Sequence, residues 1–95
     1  MNHRQFIEFR VRHYAKWRIV KLLMTEPFRS LREMMDIIGV TSTSVMVKLL
    51  RELRADGIIT YKDNSWRTYQ LVPGAYADSR GNIWKRTYDG QPKTD

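Results

Sequence analysis

Residues 30–57, SLREMMDIIGVTSTSVMVKLLRELRADG, decide how the rest of the chain is read. Ser30 is an N-cap type with Glu33 three residues on, a pairing that satisfies two unpaired donors at a helix start. A short helix, Leu31–Ile38, is therefore expected, with Leu31, Met34 or Met35, and Ile38 turned inward. Gly39 stops it, because glycine takes the left-handed conformation that closes many helices. The polar run Thr41-Ser42-Thr43-Ser44 then supplies the next N-cap. A second helix from Thr43 to about Asp56 follows and ends at Gly57. Met46, Leu50 and Leu53 recur at i, i+4 and i+7 and form its buried stripe, with Leu49 beside them. Two helices joined by a tight turn are the core of a helix-turn-helix arrangement.

Upstream, His3 to Thr25 reads as helix, with Phe6, Phe9, Trp17, Val20, Leu23 and Met24 near one side. Whether it is one helix or two with a bend is open from pattern alone. Ile7, Val11 and Tyr14 make a second stripe, so the N-terminal half is expected to touch something besides its own core. Glu26-Pro27 ends the segment, since proline disfavours helical geometry in the residue before it. Downstream of Gly57 the period changes to that of strands. Ile58–Lys62 and Trp66–Leu71 flank a polar Asp63-Asn64-Ser65 turn, a hairpin signal. A second pair, Ala75–Asp78 and Ile83–Tyr88, brackets Ser79-Arg80-Gly81-Asn82, and the chain is expected to fray from about Asp89. The order implies an α+β winged helix-turn-helix: a three-helix core, a β-hairpin wing and an extra C-terminal hairpin. One domain, 1–95, divides into a helical extension (1–14), the core (15–72) and a C-terminal extension (73–95).

Ninety-five residues suffice for one modest hydrophobic core. Seventeen Lys and Arg against ten Asp and Glu leave a net charge of +7, which suggests a polyanionic partner. Cysteine is absent, so disulfides and thiolate metal sites are excluded. Apolar runs are too short for a membrane span and the N-terminus too charged for a signal peptide, so a cytoplasmic protein is expected. His3 and His13 lack partners at ligand spacing, so neither metal nor other cofactor is expected, and His13 reads as an ordinary helix residue. No phosphate-binding glycine loop or nucleophile elbow occurs. The ten carboxylates are scattered, and no enzyme is expected.

With Met46, Leu50 and Leu53 inward, the opposite side of the second helix carries Ser44, Val47, Lys48 and Arg51, with Arg54 at its margin. A helix that reads the major groove needs such a polar, basic face. Ser42, Thr43 and Ser44 sit at its N-terminus, where free N–H groups favour phosphate. Val47 is apolar on a face that should be wet; it suits a thymine methyl, or it is a stray valine on a solvated helix. Lys48 suits guanine acceptors or phosphate, and Arg51 phosphate. Lys62, Trp66 and Arg67 flank the tip of the first hairpin, where a wing touches the backbone; Trp66 suits equally a place under the hairpin. The basic set Arg4, Arg10, Arg12, Lys16, Arg18 and Lys21 reads mostly as solvated.

The segment from Ser30 to Val45, followed by Leu49-Leu50-Arg51-Glu52-Leu53 and Asp56-Gly57-Ile58-Ile59, resembles the winged-helix DNA-binding domain of the LexA repressor and its small phage and bacterial relatives. The likeness spans roughly Trp17 to Val72. It implies that Ser42, Ser44, Val45, Val47 and Lys48 are the base-reading positions. The repressor itself carries acidic side chains where Val47 and Lys48 stand, so its operator is not the expected site. Nothing in the 23 residues after Val72 matches its self-cleaving protease domain, so its damage-response switch is not expected here.

The leading expectation is a sequence-selective double-stranded DNA-binding regulator of phage or bacterial type. It should act as a homodimer through Met1–Tyr14 or the Ala75–Tyr88 hairpin, because one winged helix covers half of a palindromic site. The alternative is a protein-interaction module on the same scaffold, favoured by Val45, Val47 and Leu49. A third reading, single-strand or RNA binding through Trp66, Tyr69, Trp84 and Tyr88, rests on aromatic–basic interleaving.

Overall fold

The computed structural model describes residues 2–25, 29–62 and 65–85, and for residues 29, 62 and 65–67 the backbone alone. Its elements run α1 (His3–Thr25), β1 (Arg29–Ser30), α2 (Leu31–Ile38), α3 (Thr43–Ala55), β2 (Ile59–Lys62), β3 (Ser65–Leu71), β4 (Ala75–Ala77) and β5 (Ile83–Lys85). The result is a small α+β fold with three helices and two antiparallel hairpins. The hairpin turn at 63–64, the Glu26-Pro27 stop and the frayed end lie outside the described residues.

α1 is one continuous helix. Its C-terminal half supplies Ile19, Val20 and Leu23 to the core. The expected inward set fits only in part: Phe6 and Phe9 are exposed and Met24 is 45% exposed, while Ile19 is fully buried. The helical period was read correctly, but the core reaches only the half of α1 that α2, α3 and the hairpins cover. From Asn2 to Tyr14 every residue is exposed.

α2 begins where its caps dictate. Ser30 Oγ accepts from the Glu33 backbone N–H at 3.2 Å, and Gly39 closes the helix at φ +86° with its N–H bonded to the Met35 carbonyl. Met34 is the inward methionine; Met35 is only partly covered. α3 opens with Ser42 as N-cap, its hydroxyl accepting from Val45 N–H at 3.3 Å. It ends in a Schellman turn: Ile58 N–H bonds to Leu53 C=O at 2.9 Å and Gly57 N–H to Arg54 C=O at 3.0 Å, with Gly57 at φ +74°. Leu53 and Ile58 are both buried, the apolar contact that accompanies such a turn.

β1, β3 and β2 form one antiparallel sheet in that order. The two-residue β1 pairs Arg29 with Tyr69 and Ser30 with Thr68, and it was not legible in sequence because Ser30 serves as strand residue and helix cap at once. Tyr61 stands opposite Tyr69, their rings 5.2 Å apart, and the register shifts just beyond Tyr61. Burial, reinforced by Tyr61, pushes the Tyr69 phenol up to about 12.

The β4–β5 hairpin is integral to the fold. Ala75 and Ala77 belong to the core cluster, and Ala77 N–H donates to Met24 Sδ at 3.2 Å. Trp17 Nε1–H donates to the Asp78 carbonyl and His13 Nε2 lies within bonding distance of the Gly81 carbonyl, both at 2.8 Å. As that carbonyl only accepts, His13 carries its proton on Nε2. The Asp78 carboxylate organises the turn by accepting from the backbone N–H groups of Arg80 and Asn82 and from Trp84 Nε1–H. These donors, Trp84 foremost, hold its carboxyl at about 2.

Candidate nucleic-acid interface

The core orients α3. Met46, Leu49, Leu50 and Leu53 are each 3% exposed or less, so at 100° per residue Ser44, Val47, Lys48 and Arg51 must point away from the core. All four are exposed. Val47 is 36% exposed and Val45 49%. Lys48 and Arg51 make no hydrogen bond or ion pair among the described residues, which leaves their charge directed at solvent. Ser42 Oγ lies 3.1 Å from Ser44 Oγ, so the two hydroxyls form one polar patch over the first turn. There the Thr43 and Ser44 N–H groups have no intrahelical acceptor. Exposed Thr43 also lines an open groove of about 700 Å3 that runs past Leu31, Arg32, Met35, Val40 and Thr41.

Arg54 stands apart from that face. Its guanidinium lies 4.0 Å from the Tyr61 ring centroid and donates to the Tyr61 hydroxyl at 3.0 Å. It braces β2 against the end of α3, a stacked and hydrogen-bonded placement that suits arginine. Lys62, Trp66 and Arg67 belong to β2 and β3 by backbone, and their side chains lie outside the described residues.

Three contacts that sequence reading missed fasten α3 and α2 to α1. Glu52, on the flank of α3 towards α1, meets Lys16 at 2.8 Å and Arg12 at 3.3 Å. The Lys16 contact is foremost in holding the Glu52 carboxyl below its usual range; partial burial opposes it, and Arg12 and Lys48 reinforce it. Glu52 Oε2 is enclosed, and Lys16 Nζ, 2.8 Å away, is its close partner. Arg18 donates to the Ile38 carbonyl at 3.0 Å, placing a cation at the negative end of α2. The spacing of these basic residues along α1 carried no sign of such partners, which lie 20 to 40 positions away.

The assembled surface is a helix seated on the core with two exposed cations, two serines at its free N–H end and two exposed valines. Such a set can bond phosphates, hydrogen-bond base edges and meet a methyl group. Among the described residues no group of three or more histidines and carboxylates is placed to hold a metal ion. No described helix is long and apolar enough to cross a membrane. Comparison with protein-family models, curated proteins and solved structures finds no significant match to this chain.

Proposed function

We propose that this chain is a winged-helix protein of the LexA-like kind that binds double-stranded DNA sequence-selectively and serves as a small transcriptional regulator. In this reading α2 and α3 are the helix-turn-helix, α3 enters the major groove, and the β2–β3 hairpin is the wing beside the backbone. The observation that carries it is the outward face of α3: Lys48 and Arg51 are exposed and make no hydrogen bond or ion pair among the described residues, beside Ser44 and Val47. A basic side chain left unpaired on a helix whose other side is locked into the core stands ready for an external anion.

The mechanism divides by residue. Arg51 contacts phosphate and sets affinity by displacing counterions. Lys48 reaches a guanine edge or a phosphate, and Val47 meets a thymine methyl, so these two set base preference. Ser42, Ser44 and the first-turn N–H groups fix the helix end on a phosphate. Arg54 keeps the wing at a constant angle to α3.

Fluorescence anisotropy with a random-sequence duplex pool, from about 50 to about 200 mM salt, tests this. An enriched motif that survives competitor DNA and shifts in Val47→Ala and Lys48→Ala supports it. Binding that is uniform in sequence and vanishes at the upper salt overturns it. In that case the second reading takes its place: a protein-interaction module, favoured by the exposure of Ile37 (46%), Val45 and Val47.

A further inference from the structure

The first half of α1 is the part of the molecule least explained by its own fold. Residues 2–14 are all exposed, tied to the rest of the molecule by Arg12 and His13, a stretch about 18 Å long as helix. An isolated helix of that length is marginal in water. Yet it carries Phe6, Ile7, Val11 and Tyr14 at 49, 47, 64 and 56% exposure, on the order of 400 Å2 of apolar and aromatic surface.

That surface has a direction. α1 meets its own domain through Lys16, Ile19 and Leu23, which are covered. At 100° per residue, Ile7, Val11 and Tyr14 lie about half a turn round from those three. No movement of α1 that keeps its core contacts can bury them. They are spaced i, i+4, i+7, the seam that a second helix fills. Arg4 and Arg18 extend the seam at its two ends, and Arg18 is already held by the Ile38 carbonyl and the Tyr14 ring.

We propose that this stripe is the dimer surface of the protein, covered by the same stripe of a second copy running antiparallel. Charge selects the orientation. A parallel pair would set Arg4 against Arg4, like charges facing each other at the N-terminal end of the seam. The antiparallel pair sets Ile7 against Val11 and carries the two Arg4 side chains to opposite ends of the seam, away from each other. It also leaves the two domains at opposite ends of the helix pair, free of each other. A stable interface buries roughly 800 Å2 per partner; with Phe6, Arg4 and Arg10 along its edges this one falls at or below that size, so the dimer dissociates on dilution. The inference rests on the DNA-binding reading only for its purpose, two half-sites read together.

Sedimentation equilibrium of the full chain without DNA, from about 1 to about 100 µM, reads the surface directly. A monomer–dimer equilibrium is expected, and Val11→Glu should weaken it at least tenfold while leaving the melting temperature in the dilute, monomeric range unchanged, since Val11 lies outside the core. Ile7→Glu is the companion variant. The chain has no cysteine, so disulfide trapping of a mixture of Ile7→Cys and Val11→Cys chains reads the orientation: more mixed than self-linked dimer is expected. A monomer at every concentration, or a dimer indifferent to both Glu variants, overturns the surface; preferential self-linking overturns the antiparallel arrangement. A monomer that still selects a DNA motif refutes this inference and leaves the DNA reading standing, whereas a dimer without DNA affinity does the reverse.

Discussion

α1 and α3 are both strongly basic helices, and they use their cations in opposite ways. On α1, Arg4 pairs with Glu8, Arg10 lies over Phe6 and Lys21 over Trp17, Arg12 and Lys16 hold Glu52, and Arg18 caps α2. On α3, Arg54 is committed to Tyr61, while Lys48 and Arg51 make no hydrogen bond or ion pair among the described residues and Lys48 acts on Glu52 only through its charge. The net charge of +7 therefore says little about where an anion would bind. What matters is which cations the fold has already bonded, and among the described residues of α3 Lys48 and Arg51 are the two left without a hydrogen bond or ion pair.

The comparison can be broken most severely at the core. Leu50→Ala should cost about 2–5 kcal/mol in urea unfolding, whereas Val11→Ala on exposed α1 should stay within about 0.5 kcal/mol in the monomer. Equal losses would mean that the two helices are not seated as described.

Next in size is the effect on the proposed DNA affinity. Lys48→Ala and Arg51→Ala should each weaken binding several-fold and lower the salt slope by about 1 where a phosphate contact is lost. Their melting temperatures should match the parent. Lys21→Ala, its counterpart on α1 outside the proposed dimer seam, should leave affinity nearly unchanged, and an equal loss there would erase the distinction between the helices.

Glu52→Gln sharpens the point from the other side, because it releases Arg12 and Lys16 from their shared partner. Stability should fall by less than about 1 kcal/mol, as the pair is only partly covered. DNA affinity measured by anisotropy should rise less than Lys48→Ala lowers it; a larger rise would show that total charge outweighs placement.

The smallest effect concerns the tie between α1 and the second hairpin. Asp78 has its carboxyl held at about 2 against an ordinary 3.8. A depressed folded value means the contribution is complete above about 3.8 and fades as pH falls towards 2. The melting temperature should therefore drop over that window more in the parent than in Asp78→Asn, and the Trp84 fluorescence should change with it. Parallel acid profiles would show that the turn does not depend on this charge.

Much of the fold was legible because its signals are local. Ser30 with Glu33, Ser42 before Val45, and the two glycines at 39 and 57 act through bonds spanning a few residues, so their types and spacing suffice to bound α2 and α3. The outward residues of α3 were legible too, since Met46, Leu50 and Leu53 define the inner side of any regular helix. Three things were not. Phe6 and Phe9 share the period of core residues, yet the core ends before it reaches them. The pairing of Arg29 and Ser30 with β3 depends on a strand some 40 positions away. The capture of Arg12, Lys16, Arg18 and Arg54 depends on which elements the packing brings beside them.

The amino-acid sequence by itself thus determined the order of elements, their caps and the face that α3 turns outward, because hydrogen bonds and helical periodicity act along the chain. The tertiary structure alone decided how far the core extends along α1, how the second hairpin is fastened to Trp17 and His13, and which cations stay unpaired. Those outcomes hang on distances between residues remote in sequence, and charge and apolar surface are assigned partners only when the chain has closed on itself.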